Sequence, residues 1–223
     1  MIPFSIGYNV SGNVIIKELA SLQNLFVSYM KTQQVKQLYE QIINTSFEQI
    51  DCGLLICKDI NRIDTQKYYK VETFIYDNPL SGTVQKKNKL FNKIFKECIK
   101  LKAQPQQNKV KLIIIDDIWE LLPKLTRQNI SQLKQLLAQG SGHAIHFIIG
   151  SSMPFRNLLL QLMHSSETLT TTSRSPINQL GAEIIYNPDE MVFFREKNQL
   201  QFEMVYPNCL KFQQLEQINI NQF

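Results

Sequence analysis

Two adjacent carboxylates, Asp116 and Asp117, are the residues of this sequence best placed to do chemistry. They follow Leu112–Ile115, a run of four apolar residues that is typical of a buried parallel strand. Ligands of open α/β sheets bind at the carboxyl ends of such strands. In phosphate-handling folds one acid there holds the water shell of Mg²⁺, and its neighbour polarises the attacking water. The alternative is structural: the two residues end a core strand and cap the segment that follows.

A second group of candidate residues is a set of lysines on one predicted helix. The sequence predicts this helix over about residues 84–102, with apolar residues on its core face. Five lysines recur there at spacings of three and four, which places them on one stripe: Lys86, Lys89, Lys93, Lys96 and Lys100. Such a stripe is either a solvated helix face or a surface that contacts the phosphates of double-stranded DNA without reading its sequence. The net charge of +5 is compatible with a polyanionic partner but does not require one.

Composition and spacing argue against several other classes of protein. The four cysteines, at positions 52, 57, 98 and 209, have neither CxxC spacing nor a matching set of histidines, so we expect no metal site and a reducing compartment. His143, His146 and His164 are interpreted as structural, and no Gly-x-Ser-x-Gly elbow indicates a nucleophilic hydrolase. No apolar stretch is long enough to span a membrane, and the first residues do not form a signal peptide. We therefore expect a soluble, cytoplasmic protein.

Buried strands alternate with amphipathic helices, which predicts an α/β three-layer fold with a mostly parallel central sheet. Strands are predicted at 24–28, 52–57, 71–76, 110–116, 144–150 and 167–173. Helices are predicted at about 32–44, 84–102, 127–138 and 155–164. Two short strands within residues 2–16 precede this core, and a hairpin of 191–195 with 200–206 follows it. The strand that ends at Asp116 should lie beside the strand that ends at Ser151 and Ser152.

The order of these features resembles the RecA-like motor domain of the FtsK/SpoIIIE family of double-stranded DNA translocases, with the ATPases of type VII secretion as relatives. The opening IPFSIGYNVSG is similar to the family's LPxxxGxxISG, and LASLQNLFV at 19–27 is similar to the LAxxPHLLV strand before its phosphate loop. Leu112–Asp117 resembles the Walker B strand with its acids, and AIHFIIGSSMP at 144–154 resembles GIHLILATQRP. Arg174, GAE at 181–183 and EMVF at 190–193 resemble the closing motifs, in which Arg174 would reach a neighbouring subunit. The resemblance implies a P-loop NTPase fold over residues 1–206, followed by a polar tail at 207–223.

The phosphate-binding loop departs from the family's pattern. Aligned without gaps, the family's GTTGSGKS falls on YMKTQQVK at 29–36, which removes all three glycines and the lysine. The loop positions concerned are Tyr29, Lys31, Thr32, Gln34, Val35 and Lys36. Backbone N–H groups of such a loop cradle phosphates, and side chains crowd them. We therefore expect these bulky residues to close over the site.

Two further departures from the family's pattern argue against ATP hydrolysis. Asp117 stands where the family has a glutamate that positions water, and it is one methylene shorter. The polar sensor pair Thr-Gln is replaced by Ser151 and Ser152. Without the loop lysine and the sensor glutamine, little remains to stabilise a transferring phosphoryl group.

The sequence leaves three functions open. The first is a degenerate motor domain that needs no cofactor and acts as a structural, regulatory or DNA-binding module beside FtsK-like subunits of a homo- or hetero-oligomer. The second is an active translocase or secretion ATPase that uses Lys31 or Lys36 on the phosphates of ATP and Asp116 on Mg²⁺. The third is a nucleic-acid-binding module without catalysis, which uses the lysine stripe. In each case the resemblance implies a cytoplasmic protein, as part of a membrane-associated bacterial complex.

Overall fold

The computed structural model of this chain describes residues 3–30, 32–46, 50–57, 71–76, 92, 96, 110–140, 144–153, 181–186, 192–199 and 201–206. Their backbone forms an eight-stranded sheet and a separate two-stranded sheet. Apolar side chains pack on both faces of the larger sheet, in one cluster around Leu38 and Ile42 and a second around Leu133 and Leu136. The α/β three-layer fold with a mostly parallel sheet, predicted from the sequence, is confirmed.

The chain begins with the predicted pair of antiparallel strands, β1 (Pro3–Tyr8) and β2 (Val14–Glu18). A short helix, α1 (Leu19–Leu22), links them to the central sheet. Tyr8 exchanges two backbone hydrogen bonds with Tyr206 near the end of the chain. The ammonium group of Lys17 forms an ion pair with Glu196. These contacts attach the N-terminal hairpin to the C-terminal one.

The strands of the central sheet, in chain order, are β3 (Leu25–Ser28), β4 (Ile50–Cys57), β5 (Val71–Ile75), β6 (Val110–Asp116), β7 (Ile145–Ser151), β8 (Ala182–Tyr186), β9 (Val192–Arg195) and β10 (Glu203–Val205). Their spatial order is β10-β9-β8-β3-β7-β6-β4-β5. The six strands from β8 to β5 are parallel, whereas β9 and β10 form the predicted antiparallel hairpin. The carboxyl ends of β3, β7 and β6 therefore lie side by side, as expected for the site.

The sequence analysis did not predict strand β8. The set of predicted strands is corrected by adding it. Glu183 interrupts the apolar character of this strand, yet its side chain is buried. It lies opposite Arg195 of β9 and forms an ion pair with it. A carboxylate can remain in the sheet because a strand farther along the chain supplies the opposite charge.

Both amphipathic helices predicted within the described residues are present. Helix α2 (Thr32–Ser46) buries Val35, Leu38, Ile42 and Ile43 against one face of the sheet. A short helix, α3 (Ile118–Leu121), and a 3-10 turn (Leu122–Lys124) follow β6 and were not predicted. Helix α4 (Arg127–Gln139) then buries its leucines against the opposite face. The Thr126 hydroxyl caps α4 by accepting from the Asn129 N–H at 3.2 Å.

Several predictions fall outside the described residues: most of the helix at 84–102, the helix at 155–164, the strand at 167–173 and the tail at 207–223. Of the first helix, Asn92 and Lys96 are described, and both are helical. The Asn92 side chain accepts a 2.7 Å hydrogen bond from Asn129 of α4, whereas Lys96 is exposed. Within the described parts of the chain, no helix is long and apolar enough to cross a lipid bilayer.

Candidate functional site at the carboxyl edge of the sheet

The carboxylate of Asp116, at the end of β6, is fully buried on the α2 side of the sheet. Its Oδ1 accepts a 2.6 Å hydrogen bond from the Tyr29 hydroxyl, which comes from the first residue after β3. The same oxygen lies 3.3 Å from the Tyr39 hydroxyl, which comes from α2. Two phenols therefore cover the carboxylate on the side where the strand-to-helix turn lies.

The backbone of Tyr29 is also hydrogen-bonded within the sheet. Its N–H donates to the carbonyl of Ser151 at 3.0 Å, which extends the pairing of β3 with β7 by one residue. The side chain is 3% exposed and belongs to the core cluster on that face. The first position of the aligned phosphate loop therefore contributes a buried ring, and its N–H is used by the neighbouring strand.

The turn between β3 and α2 is shorter than the aligned motif requires. Only residues 29–31 separate the last residue of β3 from Thr32, where α2 begins. Thr32, Gln34, Val35 and Lys36 thus belong to α2, whose start near residue 32 was predicted from the sequence. Val35 is buried in the core, and the Lys36 ammonium lies 3.9 Å from Glu40 on the next turn of the same helix.

Gly150 of β7 provides the space that the two tyrosines occupy. A Cβ at this position would lie 2.5 Å from Oδ1 of Asp116, 3.2 Å from the Tyr29 ring and closer still to the Tyr39 hydroxyl. Such approaches are shorter than van der Waals contact, so any larger residue would displace at least one of these groups. The hollow at the end of β6 and β7 is therefore filled by side chains.

Burial raises the pKa of Tyr39 well above its ordinary value, and the negative charge of Asp116 raises it further. The Tyr39 phenol is consequently protonated at any physiological pH and can donate to the carboxylate. The pKa of Tyr76, on the other side of β6, is likewise raised, mainly by burial. Both phenols are therefore neutral hydrogen-bonding groups.

Asp117 points to the opposite face and caps the helix that follows it. Its Oδ1 accepts from the N–H of Trp119 at 2.9 Å, which makes it the N-cap of α3. Its Oδ2 accepts from both the N–H, at 3.1 Å, and the hydroxyl of Ser152. The Tyr76 hydroxyl lies 3.1 Å from both the N and the O of the Asp117 backbone. This geometry matches the structural alternative stated for Asp117, because both carboxylate oxygens accept backbone hydrogen bonds.

The structure thus brings together five of the predicted site residues: Tyr29, Asp116, Asp117, Ser151 and Ser152. It places Lys36 one turn inside α2. Lys31, Arg174 and the lysines at 86, 89, 93 and 100 lie outside the described residues. Among the residues with described positions, no group of three or more His, Cys, Asp or Glu side chains is arranged to hold a metal ion.

Sequence reasoning missed three residues of the site: Tyr39, Tyr76 and Gly150. Two of them carried a signal in the sequence. Tyr39 lies on the apolar face of a predicted helix, where its hydroxyl needs a buried partner. Gly150 interrupts a buried strand, which marks a close approach of another group. Tyr76 ends a predicted strand, but nothing local indicates that its hydroxyl binds the backbone of Asp117.

No protein-family model matches this chain, and no curated protein sequence matches it. Its fold is similar to ATPases 2 and 3 of EccC from Thermomonospora curvata, solved in complex with a signal sequence peptide (13% identity, TM-score 0.67, covering 93% of this chain and 40% of that one). It is also similar to ATPases 2 and 3 of EssC from Geobacillus thermodenitrificans (11%, 0.58, 98% and 49%). A third similar structure is the pCW3 conjugation coupling protein TcpA, in its monomer form with ATPγS (12%, 0.59, 96% and 70%).

This chain has the fold of an FtsK/SpoIIIE-like motor domain. The resemblance found in the sequence is confirmed at the level of fold, with identities of only 11–13% in these three comparisons. The chain spans two fifths of the EccC structure and about half of the EssC structure.

Proposed function

We propose that this chain is a motor-type domain that neither binds nor hydrolyses ATP and that serves as a module of a translocase-type assembly. The observation that carries the proposal is the 2.6 Å hydrogen bond from Tyr29 to Asp116. In a working site this carboxylate holds the water shell of Mg²⁺. Here Oδ1 of the Asp116 carboxylate accepts from a buried phenol, so the residues present do not fit a Mg²⁺–triphosphate group.

The turn before α2 supports the same conclusion. A phosphate loop needs several consecutive N–H groups that point into an open hollow, and glycines permit that backbone. In this chain only three positions lie between the end of β3 and the start of α2, the N–H of the first is paired with Ser151, and two aromatic rings occupy the hollow. Lys36, which the active alternative places on the phosphates, lies beside Glu40 on the flank of the helix.

The role we propose is structural or regulatory. The module comprises residues 1–206, with 207–223 as a tail, and it packs against motor domains that carry a working site. The EccC and EssC structures each contain two ATPase units in one chain, which is the kind of neighbour that this module would meet. We place the assembly on the cytoplasmic side of a bacterial membrane complex.

Calorimetric titration with millimolar Mg-ATP tests the proposal directly. We expect no saturable heat from the wild-type chain, and the same result from a Lys36→Gln variant. Binding that saturates and that is abolished in Lys36→Gln would overturn the proposal and favour the active alternative. The matched control is Lys134→Gln, which changes an exposed lysine on α4.

Duplex DNA is a second candidate partner, favoured by the exposed side chain of Lys96. The Asn92 side chain hydrogen-bonds to Asn129 of α4, and the Lys96 side chain, four residues later, is in solvent. Every lysine that no longer neutralises a phosphate should reduce the slope of log K against log salt by about 0.9. Fluorescence anisotropy with a labelled duplex should therefore show a shallower slope when Lys86, Lys89, Lys93, Lys96 and Lys100 are changed to Gln. A slope equal to that of Lys134→Gln would argue against DNA binding through this stripe.

A further inference from the structure

Exposed apolar side chains gather on the joined N- and C-terminal hairpins. The described residues contain seven large apolar side chains that are exposed. Five of them lie in these two hairpins: Val10, Val14, Ile16, Phe202 and Met204. The backbone bonds between Tyr8 and Tyr206 join the hairpins, and Val14 of β2 lies opposite Tyr8 of β1. Apolar side chains scattered singly over a surface need no explanation, whereas a gathered set marks a contact site.

Strand β2 exposes alternate side chains. Val14 and Ile16 are 49% and 63% exposed, whereas Ile15 between them packs against the core. Lys17 points to the same side as Ile15, because successive side chains of a strand point to opposite faces. Its ammonium group lies over the ring of Phe194, 5.1 Å from the centroid. The outer face of β2 therefore carries two neighbouring β-branched side chains in solvent.

The backbone groups of Ile16 point to the outer edge of β2. Strands β1 and β2 are antiparallel, and Ser5 lies directly opposite Ile16. The side-chain amide of Gln41 on α2 lies 3.2 Å from both the N and the O of Ser5, so these two atoms point away from β2. Residues directly opposite each other in an antiparallel pair either both bond across the pair or both point away from it. The N–H and the carbonyl of Ile16 therefore point away from β1.

Val14 has the same arrangement as Ile16. Its partner Tyr8 uses its N–H and carbonyl on Tyr206, so the N–H and carbonyl of Val14 also point to the outer edge of β2. Gln41 and Tyr206 cover the edge of β1, whereas among the described residues β2 pairs with β1 alone. An edge that combines open backbone groups with exposed β-branched side chains is a template for a further strand.

We propose that two copies of this chain dimerise by pairing their β2 strands antiparallel, about a two-fold axis at Ile16. Strand β2 comprises Val14–Glu18, so an axis at its central residue overlaps all five positions. The Ile16 N–H of each copy then donates to the Ile16 carbonyl of the other, and the two hairpins form one four-stranded sheet. The exposed Val14 and Ile16 of both copies come to lie on one face of that sheet. This inference does not depend on the proposed loss of ATP binding.

The side chains of β2 are compatible with a partner strand of the same sequence. With the axis at Ile16, Ile15 of one copy faces Lys17 of the other. In the same pairing Val14 faces Glu18, so no like charges lie directly opposite each other. An axis one residue later would place Lys17 opposite Lys17 and is disfavoured. The charges and the full overlap therefore both favour the axis at Ile16, where two β-branched side chains form the central pair.

Sedimentation equilibrium over a wide range of protein concentration tests the dimer. The average mass of the wild-type chain should rise with concentration from 26.0 kDa toward twice that value. A charge at position 16 stands opposite itself, so Ile16→Lys and Ile16→Glu should each raise the dissociation constant by about a hundredfold or more. Because the Ile16 side chain is exposed, both variants should keep the wild-type circular dichroism spectrum. Met30→Lys, which adds the same charge at a similarly exposed residue outside both hairpins, is the matched control and should dimerise like wild type.

A mixture of the two charged variants tests the register. In the proposed pairing position 16 of one copy faces position 16 of the other, so Ile16→Lys and Ile16→Glu should dimerise with each other although neither dimerises alone. A wild-type chain that stays monomeric at every concentration would overturn the proposal. A dimer that Ile16→Lys leaves intact, or a mixture of the two folded variants that stays monomeric, would also overturn it. Saturable binding of Mg-ATP would contradict the proposed function instead, whether or not the chain dimerises.

Discussion

Replacing Gly150 by alanine tests whether the two tyrosines fill the hollow at the end of β6. The added Cβ would lie 2.5 Å from Oδ1 of Asp116, 3.2 Å from the Tyr29 ring and nearer still to the Tyr39 hydroxyl. Overpacking of this kind costs about 1–3 kcal/mol. Displacement of the Tyr39 phenol from the carboxylate costs about 1–2 kcal/mol more.

A smaller gain opposes this loss. Alanine restricts the unfolded chain more than glycine does, which stabilises the folded state by about 0.4–1 kcal/mol where the backbone is compatible. We therefore expect Gly150→Ala to lower the free energy of unfolding by about 3 kcal/mol, a large part of the roughly 5–15 kcal/mol of a typical domain. Urea denaturation followed by circular dichroism measures this change.

A double-mutant cycle with Tyr39→Phe makes the test specific to the filled hollow. Removing the Tyr39 hydroxyl removes the shortest of the three approaches, while the Tyr29 hydroxyl still donates to the Asp116 carboxylate. Gly150→Ala should then cost at least about 1 kcal/mol less than in the wild-type background, because residues in contact do not behave additively. Gly140→Ala is the matched control: its Cβ would come no closer than 3.1 Å, to the Ile145 carbonyl, and we expect a change below about 1 kcal/mol.

Two results would refute the reasoning about the hollow. One is a Gly150→Ala variant with the stability of wild type, which would mean that the hollow has room for a methyl group. The other is an equal cost of Gly150→Ala with and without the Tyr39 hydroxyl. Either result would reopen the possibility that a phosphate group enters beside Asp116.

Three further substitutions probe the contacts around the site. Tyr29→Phe should lower the free energy of unfolding by about 1.5–3 kcal/mol, because it removes a buried hydrogen bond to a carboxylate; Tyr186→Phe is the control, and an equal effect of both would contradict this. Asp117→Ala should cost about 2–4 kcal/mol in urea denaturation, because it removes a helix cap and leaves partly buried donors unpaired, whereas a catalytic role alone would leave stability unchanged. Glu183→Gln should cost about 3 kcal/mol by leaving Arg195, whose side chain is only 12% exposed, without its charged partner, and adding Arg195→Met should recover part of that loss; no recovery would argue against the pair.

The sequence alone determined the layered fold and the helices α2 and α4. The apolar residues of α2 and α4 recur at helical spacing, so their buried faces follow from the chain itself. The runs that became β6 and β7 are continuously apolar, as expected of strands covered on both faces. The strand β8 could not be predicted in this way, because its Glu183 is acceptable only opposite an arginine that the fold brings to it.

For the site, the sequence determined which residues stand at the end of β6 and that no glycine remains at 29–36. It could not determine what fills the hollow. Tyr39 lies 77 residues before Asp116 in the chain, and Gly150 lies on the neighbouring strand. Only the strand order β3-β7-β6 and the packing of α2 bring the Tyr39 phenol and the Asp116 carboxylate next to Gly150, which has no side chain. Local patterns fix helices and strands because neighbouring residues set the backbone, whereas contacts between distant residues exist only once the sheet is assembled.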